Sequence, residues 1–141
     1  MIVYFDTSAF VPLLVVEVGT PAGRELWETA DEVAASRLLY VETAAALGRA
    51  RRLGRLGPRQ HRTSVAGLDD LWQDFRVLDV DDALVVRAAE LADRWALRGY
   101  DAVHCASAER IDAPDLVVAS GDKEVLAACA DLGLATALVG G

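Results

Sequence analysis

Four carboxylates, Asp6, Glu42, Asp101 and Asp122, stand apart from the other acids of this sequence because little nearby balances them. Asp6 is the only charged side chain in residues 1–16, and Glu42 the only one in 38–48. Asp101 is the only one in 99–108, with His104 counted as neutral. No Arg or Lys adjoins the first three, and only Lys123 adjoins Asp122. A carboxylate in apolar surroundings must be protonated, paired or bound to a metal ion. Four together would suit a hard divalent cation, Mg²⁺ or Mn²⁺, which prefers carboxylate oxygen and retained water. Zinc is not suggested, since His61 and His104 are isolated from each other and from any cysteine cluster.

Whether the four acids meet depends on the elements that carry them. Apolar runs of strand length, "IVYF" (2–5), "EVAAS" (32–36), "RVLDV" (76–80), "DLVVAS" (115–120) and "ATALV" (135–139), alternate with segments of helical period. Thr20 and Pro21 read as the N-cap and first residue of a helix, and Gly54, Gly99 and Gly133 as helix stops. Strands separated by helices imply parallel pairing through right-handed crossovers. The expected fold is a three-layer α/β/α sandwich with a central, mostly parallel sheet, residues 1–141 forming one domain. Such sheets bind ligands outside the carboxyl ends of their strands. Asp6 directly follows the first strand and Asp122 lies just past the fourth; Glu42 sits early in the helix leaving the second, and Asp101 opens the helix before the fourth. Singly, Asp6, Asp101 and Asp122 each read as a helix cap. Glu42 does not, since it lies inside its helix on the face of Leu38, Leu39, Ala45 and Ala46.

The composition narrows the classes. A hydrophobic content of 53% in 141 residues supports a packed core. Cys105 and Cys129 form no C-x-x-C pair, so neither a zinc site nor a disulfide framework is indicated, and a reducing, cytoplasmic setting is expected. Neither a signal peptide nor a membrane span is legible. The net charge of −8 argues against phosphate binding, but "RARRLGRLGPRQHR" (49–62) holds six arginines and no acid. Arg49, Arg51, Arg52 and Arg55 are its candidate phosphate contacts; a solvated helix and turn, or a protein-docking surface, would look the same. P-loop, G-x-G-x-x-G and G-x-S-x-G motifs are absent. A phosphatase using Asp6 as nucleophile is weakened by Ser8, where haloacid-dehalogenase-type enzymes carry a second Asp.

"YFDTSAF", "LLYVETAAAL", "GYDAVHCASA" and "VVASGDKEVLAAC", in that order and spacing, resemble the acidic motifs of PIN-domain ribonucleases, specifically VapC-type toxins of bacterial toxin–antitoxin pairs. The resemblance covers essentially the whole chain. It implies that Asp6, Glu42, Asp101 and Asp122 form a catalytic, metal-binding quartet supported by Thr7 and Ser120. Asp6 and Asp101 would ligate directly, and Glu42 and Asp122 through water or a second ion. It further implies Mg²⁺- or Mn²⁺-dependent hydrolysis of RNA to 5′-phosphate and 3′-hydroxyl ends, a homodimer, and a small antitoxin whose tail covers the site. The rival readings are an inactive PIN-type binding module and an α/β metal-dependent phosphatase.

Overall fold

The apolar runs become strands of a single sheet. In the computed structural model, which describes residues 1–140, these are β1 (Ile2–Phe5), β2 (Glu32–Ser36), β3 (Phe75–Leu78), β4 (Leu116–Ser120) and β5 (Ala135–Leu138). Their order is β3-β2-β1-β4-β5 and every pairing is parallel. β1 is central, with Ile2 opposite Glu32 on one side and Leu116 on the other. Covered on both faces, β1 does not alternate apolar with polar: Val3, Tyr4 and Phe5 are all fully buried.

The two faces carry separate cores. Val3, Phe5, Val33 and Ala35 pack with Phe10, Leu39 and Leu68 from α1 (Thr7–Phe10), α3 (Leu39–Arg52) and α4 (Pro58–Trp72). Trp27 of α2 (Thr20–Thr29) closes that side, its ring 5.3 Å from Phe75. Tyr4, Ala34 and Val118 face Leu84, Cys105 and Val125 from α5 (Asp82–Trp95), α6 (Gly99–Ile111) and α7 (Lys123–Asp131). The chain runs outward from β1 to β3, then returns across the sheet to β4. That reversal of direction opens a crevice at the carboxyl ends of β1 and β4.

Several local expectations are corrected. Gly19, not Thr20, is the N-cap of α2. The Thr20 hydroxyl instead donates to the Pro12 carbonyl (2.7 Å) and accepts from the Glu17 N–H (2.8 Å), closing the preceding loop. The third strand ends at Leu78, because Asp79 turns away to pair with Arg37 (2.7 Å) and Asp81 caps α5. α5 stops at Trp95, where Ala96 takes the left-handed conformation, and Gly99 begins α6 rather than ending α5. Cys105 and Cys129, unrelated by spacing, bring their sulfurs within 3.0 Å between α6 and α7, both buried and free. No helix of the described residues is long and apolar enough to cross a membrane.

Candidate active site

Asp6 stands where β1 gives way to α1, and its carboxylate caps that short helix. Oδ1 accepts from the Ala9 N–H (3.0 Å) and the Ser8 hydroxyl (2.7 Å), and Oδ2 accepts from the Ser120 hydroxyl. All these donors are neutral, although the residue is only 3% exposed. Burial therefore pushes the acid above its ordinary 3.8, against the opposing pull of His104 and the hydrogen bonds from Ser120, Ser8 and Ala9.

Glu42, in the first turn of α3, is held differently. Its Oε1 accepts from the Thr7 hydroxyl (3.0 Å) and lies 2.7 Å from His104 Nε2. An ionised carboxylate can only accept, so Nε2 carries the proton. The other ring nitrogen, Nδ1, lies 2.8 Å from the Tyr4 hydroxyl, and the imidazole is 3% exposed. Burial alone would raise Glu42, but His104 and then Thr7 outweigh it and hold the acid below 4.5.

The last two acids come from the helices flanking β4. Asp101 is not a cap: Arg98 holds the N-cap position of α6, and its Nε donates to Asp101 Oδ2 at 2.9 Å. Asp122 caps α7, accepting from the N–H groups of Glu124 (2.9 Å) and Val125 (3.4 Å). Ser120 ties the first acid to the fourth, since its hydroxyl oxygen also accepts from the Asp122 N–H (2.9 Å). Gly121 between them is required by space: a Cβ there would lie 2.9 Å from the Val139 carbonyl oxygen. Its N–H donates to the Ser8 hydroxyl (2.8 Å).

All four acids and Thr7 line one cleft of about 410 Å³. Ser120 supports it from beneath, fully buried. Among the described residues no three His, Cys, Asp or Glu side chains are gathered closely enough to share a metal ion. Each acid is turned toward its own local partner instead. Arg49, Arg51 and Arg52 are exposed in the last turn of α3, Arg55 follows them in the turn, and none lines the cleft. A slightly larger hollow of about 460 Å³ beside α5 and α6 is almost wholly apolar and carries neither acid nor base.

Ser8, Glu17, Arg98 and His104 also line the acidic cleft and are not singled out by sequence reasoning. Two of them had a signal. Arg98 and His104 lie three residues before and after Asp101, a spacing that puts side chains on neighbouring turns of one helix face. Glu17 comes from a loop, where no periodicity could announce it.

Residues 3–131 match the family model described as the PIN domain. A protein of Mycobacterium tuberculosis (strain CDC 1551 / Oshkosh), ribonuclease VapC45, is 40% identical over 124 residues, which is 88% of this chain and 86% of that protein. Among solved structures, M. tuberculosis VapC20, described as a sarcin-ricin loop cleaving toxin, superposes with a TM-score of 0.70 at 23% identity, covering 89% of this chain and 94% of its own. FitAcB from Neisseria gonorrhoeae superposes with a TM-score of 0.71 at 17% identity, covering 95% of each chain.

Proposed function

Because the chain belongs to the PIN-domain family of VapC-type ribonucleases, we propose that it is the toxin of a type II toxin–antitoxin pair, a divalent-metal-dependent endoribonuclease acting in the cytoplasm. Asp6, Glu42, Asp101 and Asp122 form its acidic site, and Thr7 and Ser120 support it. The observation that carries the metal reading is Asp6, a buried carboxylate at the end of the central strand that hydrogen-bonds only neutral donors. Such a group is costly without a cation. The cleft offers carboxylate and hydroxyl oxygens and no thiol, and both nitrogens of its one imidazole, His104, are already engaged, which suits Mg²⁺ or Mn²⁺.

Asp6 and Asp101 would hold the ion directly, and Glu42 and Asp122 through water. When bound, the metal supplies polarisation of the scissile phosphate and a lowered pKa for an attacking water. The chain's own residues set the geometry. Ser8 and Ser120 fix both oxygens of Asp6, so its carboxylate plane cannot turn. His104 and Thr7 both engage Oε1 of Glu42, which leaves Oε2 uncommitted to orient a water. In-line hydrolysis then leaves a 5′-phosphate and a 3′-hydroxyl. Family membership likewise supports a homodimer and a small cognate antitoxin as partners.

The test is incubation of purified protein with total RNA, with and without Mg²⁺, followed by mapping of the new ends. Wild type should cut in Mg²⁺, and Asp6→Asn should fold but not cut. Equal cleavage by the two proteins in excess chelator would sink the mechanism. Release of phosphate from monoesters with intact RNA would mark a phosphatase, and RNA binding without cleavage an inactive module.

A further inference from the structure

Among the described residues, Arg98 is the one Arg or Lys that lines the acidic cleft. Its side chain is 83% exposed, yet the guanidinium is engaged with two acids. Nε donates to Asp101 at 2.9 Å, and Nη2 lies 3.7 Å from Asp122 Oδ2. One exposed cation thereby spans the first turns of α6 and α7, which flank β4. Exposed pairs of this kind add little to stability, because ordering a long side chain offsets most of the attraction. Stability therefore does not account for the arrangement. The site does, since these are two of the four carboxylates offered to a divalent ion under the metal reading above, on which this inference rests.

A guanidinium and a divalent cation held against Asp101 repel one another at such separations, so each weakens the other's hold. We propose that Arg98 is a displaceable counter-ion: it neutralises Asp101 and Asp122 when no metal is bound, leaves them when metal enters, and so sets the divalent concentration at which the enzyme becomes active. Two features suit it to that part. The side chain is mostly in solvent and, among the described residues, makes no hydrogen bond other than that to Asp101, so leaving breaks only its contacts with the two acids. His104, by contrast, is buried and bonded at both ring nitrogens, a fixed clamp on Glu42. The same pairing explains why no three acids of the described residues are gathered on one point: Asp101 is turned to the arginine. Once displaced, the guanidinium remains tethered at the cleft mouth, where a phosphodiester is the natural anion for its planar fork.

The experiment is calorimetric titration of Mn²⁺ into the metal-free protein at low salt, for wild type, Arg98→Gln, Arg98→Lys and Asp101→Asn. Arg98→Gln should bind Mn²⁺ about tenfold more tightly than wild type, since a like charge a few ångströms away is gone. Arg98→Lys, which keeps the charge, should stay within about twofold of wild type, and Asp101→Asn should bind more weakly. In cleavage assays Arg98→Gln should reach half-maximal rate at a lower Mg²⁺ concentration but show a raised KM for RNA. Wild type and Arg98→Gln binding Mn²⁺ equally would overturn the inference and leave the metal reading standing. No Mn²⁺ binding by either would overturn both. Arg98→Ala, judged by its melting curve, repeats the comparison with the same expectations should the glutamine variant fail to fold.

Discussion

The centre of the site is a conflict at one residue. Burial lifts the pKa of folded Asp6 above 3.8, so the folded chain takes up that proton more readily than the unfolded one. Ionised Asp6 therefore costs stability at neutral pH, and the cost fades as pH falls through its folded pKa toward 3.8 and below. Asp6→Asn should accordingly melt higher than wild type near pH 7 in chelator, with the difference closing near pH 3. A lower melting temperature for the variant near pH 7 would contradict this. His104 is the second residue whose loss should be sharply felt. With it go the clamp on Glu42 and the partner of the buried Tyr4 hydroxyl. His104→Ala should cut RNA about 10- to 100-fold more slowly, the usual range for a group that orients a metal ligand. Tyr4→Phe should slow cutting much less, because His104 would still donate to Glu42. Wild-type rates in His104→Ala would show that Thr7 alone positions Glu42.

Among the elements, the junction of β4, α7 and β5 holds the tightest constraint. Gly121→Ala would set a methyl 2.9 Å from the Val139 carbonyl oxygen, and Ser8 at 3.4 Å leaves no retreat on the other side. The backbone must shift, at a cost of about 1–3 kcal/mol. Thermal melting of the alanine variant checks this, and an unchanged midpoint would mean that β5 yields freely. This junction also shows where the sequence stopped being readable. The strands could be read because β1 and β4 are buried on both faces and carry unbroken apolar runs, while α7 announces itself through Asp122 as its cap. The space around Gly121 depends on Val139, the residue that follows β5, arriving from eighteen residues downstream. Thr20 misled for a like reason, its hydroxyl being claimed by Pro12 across a loop. Asp6 and Asp122 could be placed on the rim because each lies just past a strand, and Glu42 and Asp101 because their helices leave or approach one. The counter-charge is harder to see, because Arg98 does not adjoin Asp101 in the chain and reaches it from one helical turn away.

For the molecule as a whole the difficulty is bringing RNA to an acidic protein. A net charge of −8 repels the substrate at long range, and the cleft contributes five of the acids, Glu17 among them. The countervailing surface is the far end of α3. Glu42 and Arg49 are seven residues apart on this helix, so they share a face about 10 Å apart along the axis. That distance is comparable to the Debye length at physiological salt, so the basic end acts on phosphates flanking the cleft but not far beyond them. Arg51 and Arg52 are exposed there and form no ion pair among the described residues. If both arginines track the backbone, replacing them with Ala should weaken binding of single-stranded RNA and flatten the slope of log affinity against log salt by about 1.4, roughly 0.7 for each phosphate no longer neutralised. Binding is best measured on the Asp6→Asn background, where the RNA stays intact, while the cleavage rate at saturating RNA should hardly change on the wild-type background. A slope unaltered by the double substitution would remove the arginines from the RNA path and leave them to a protein partner.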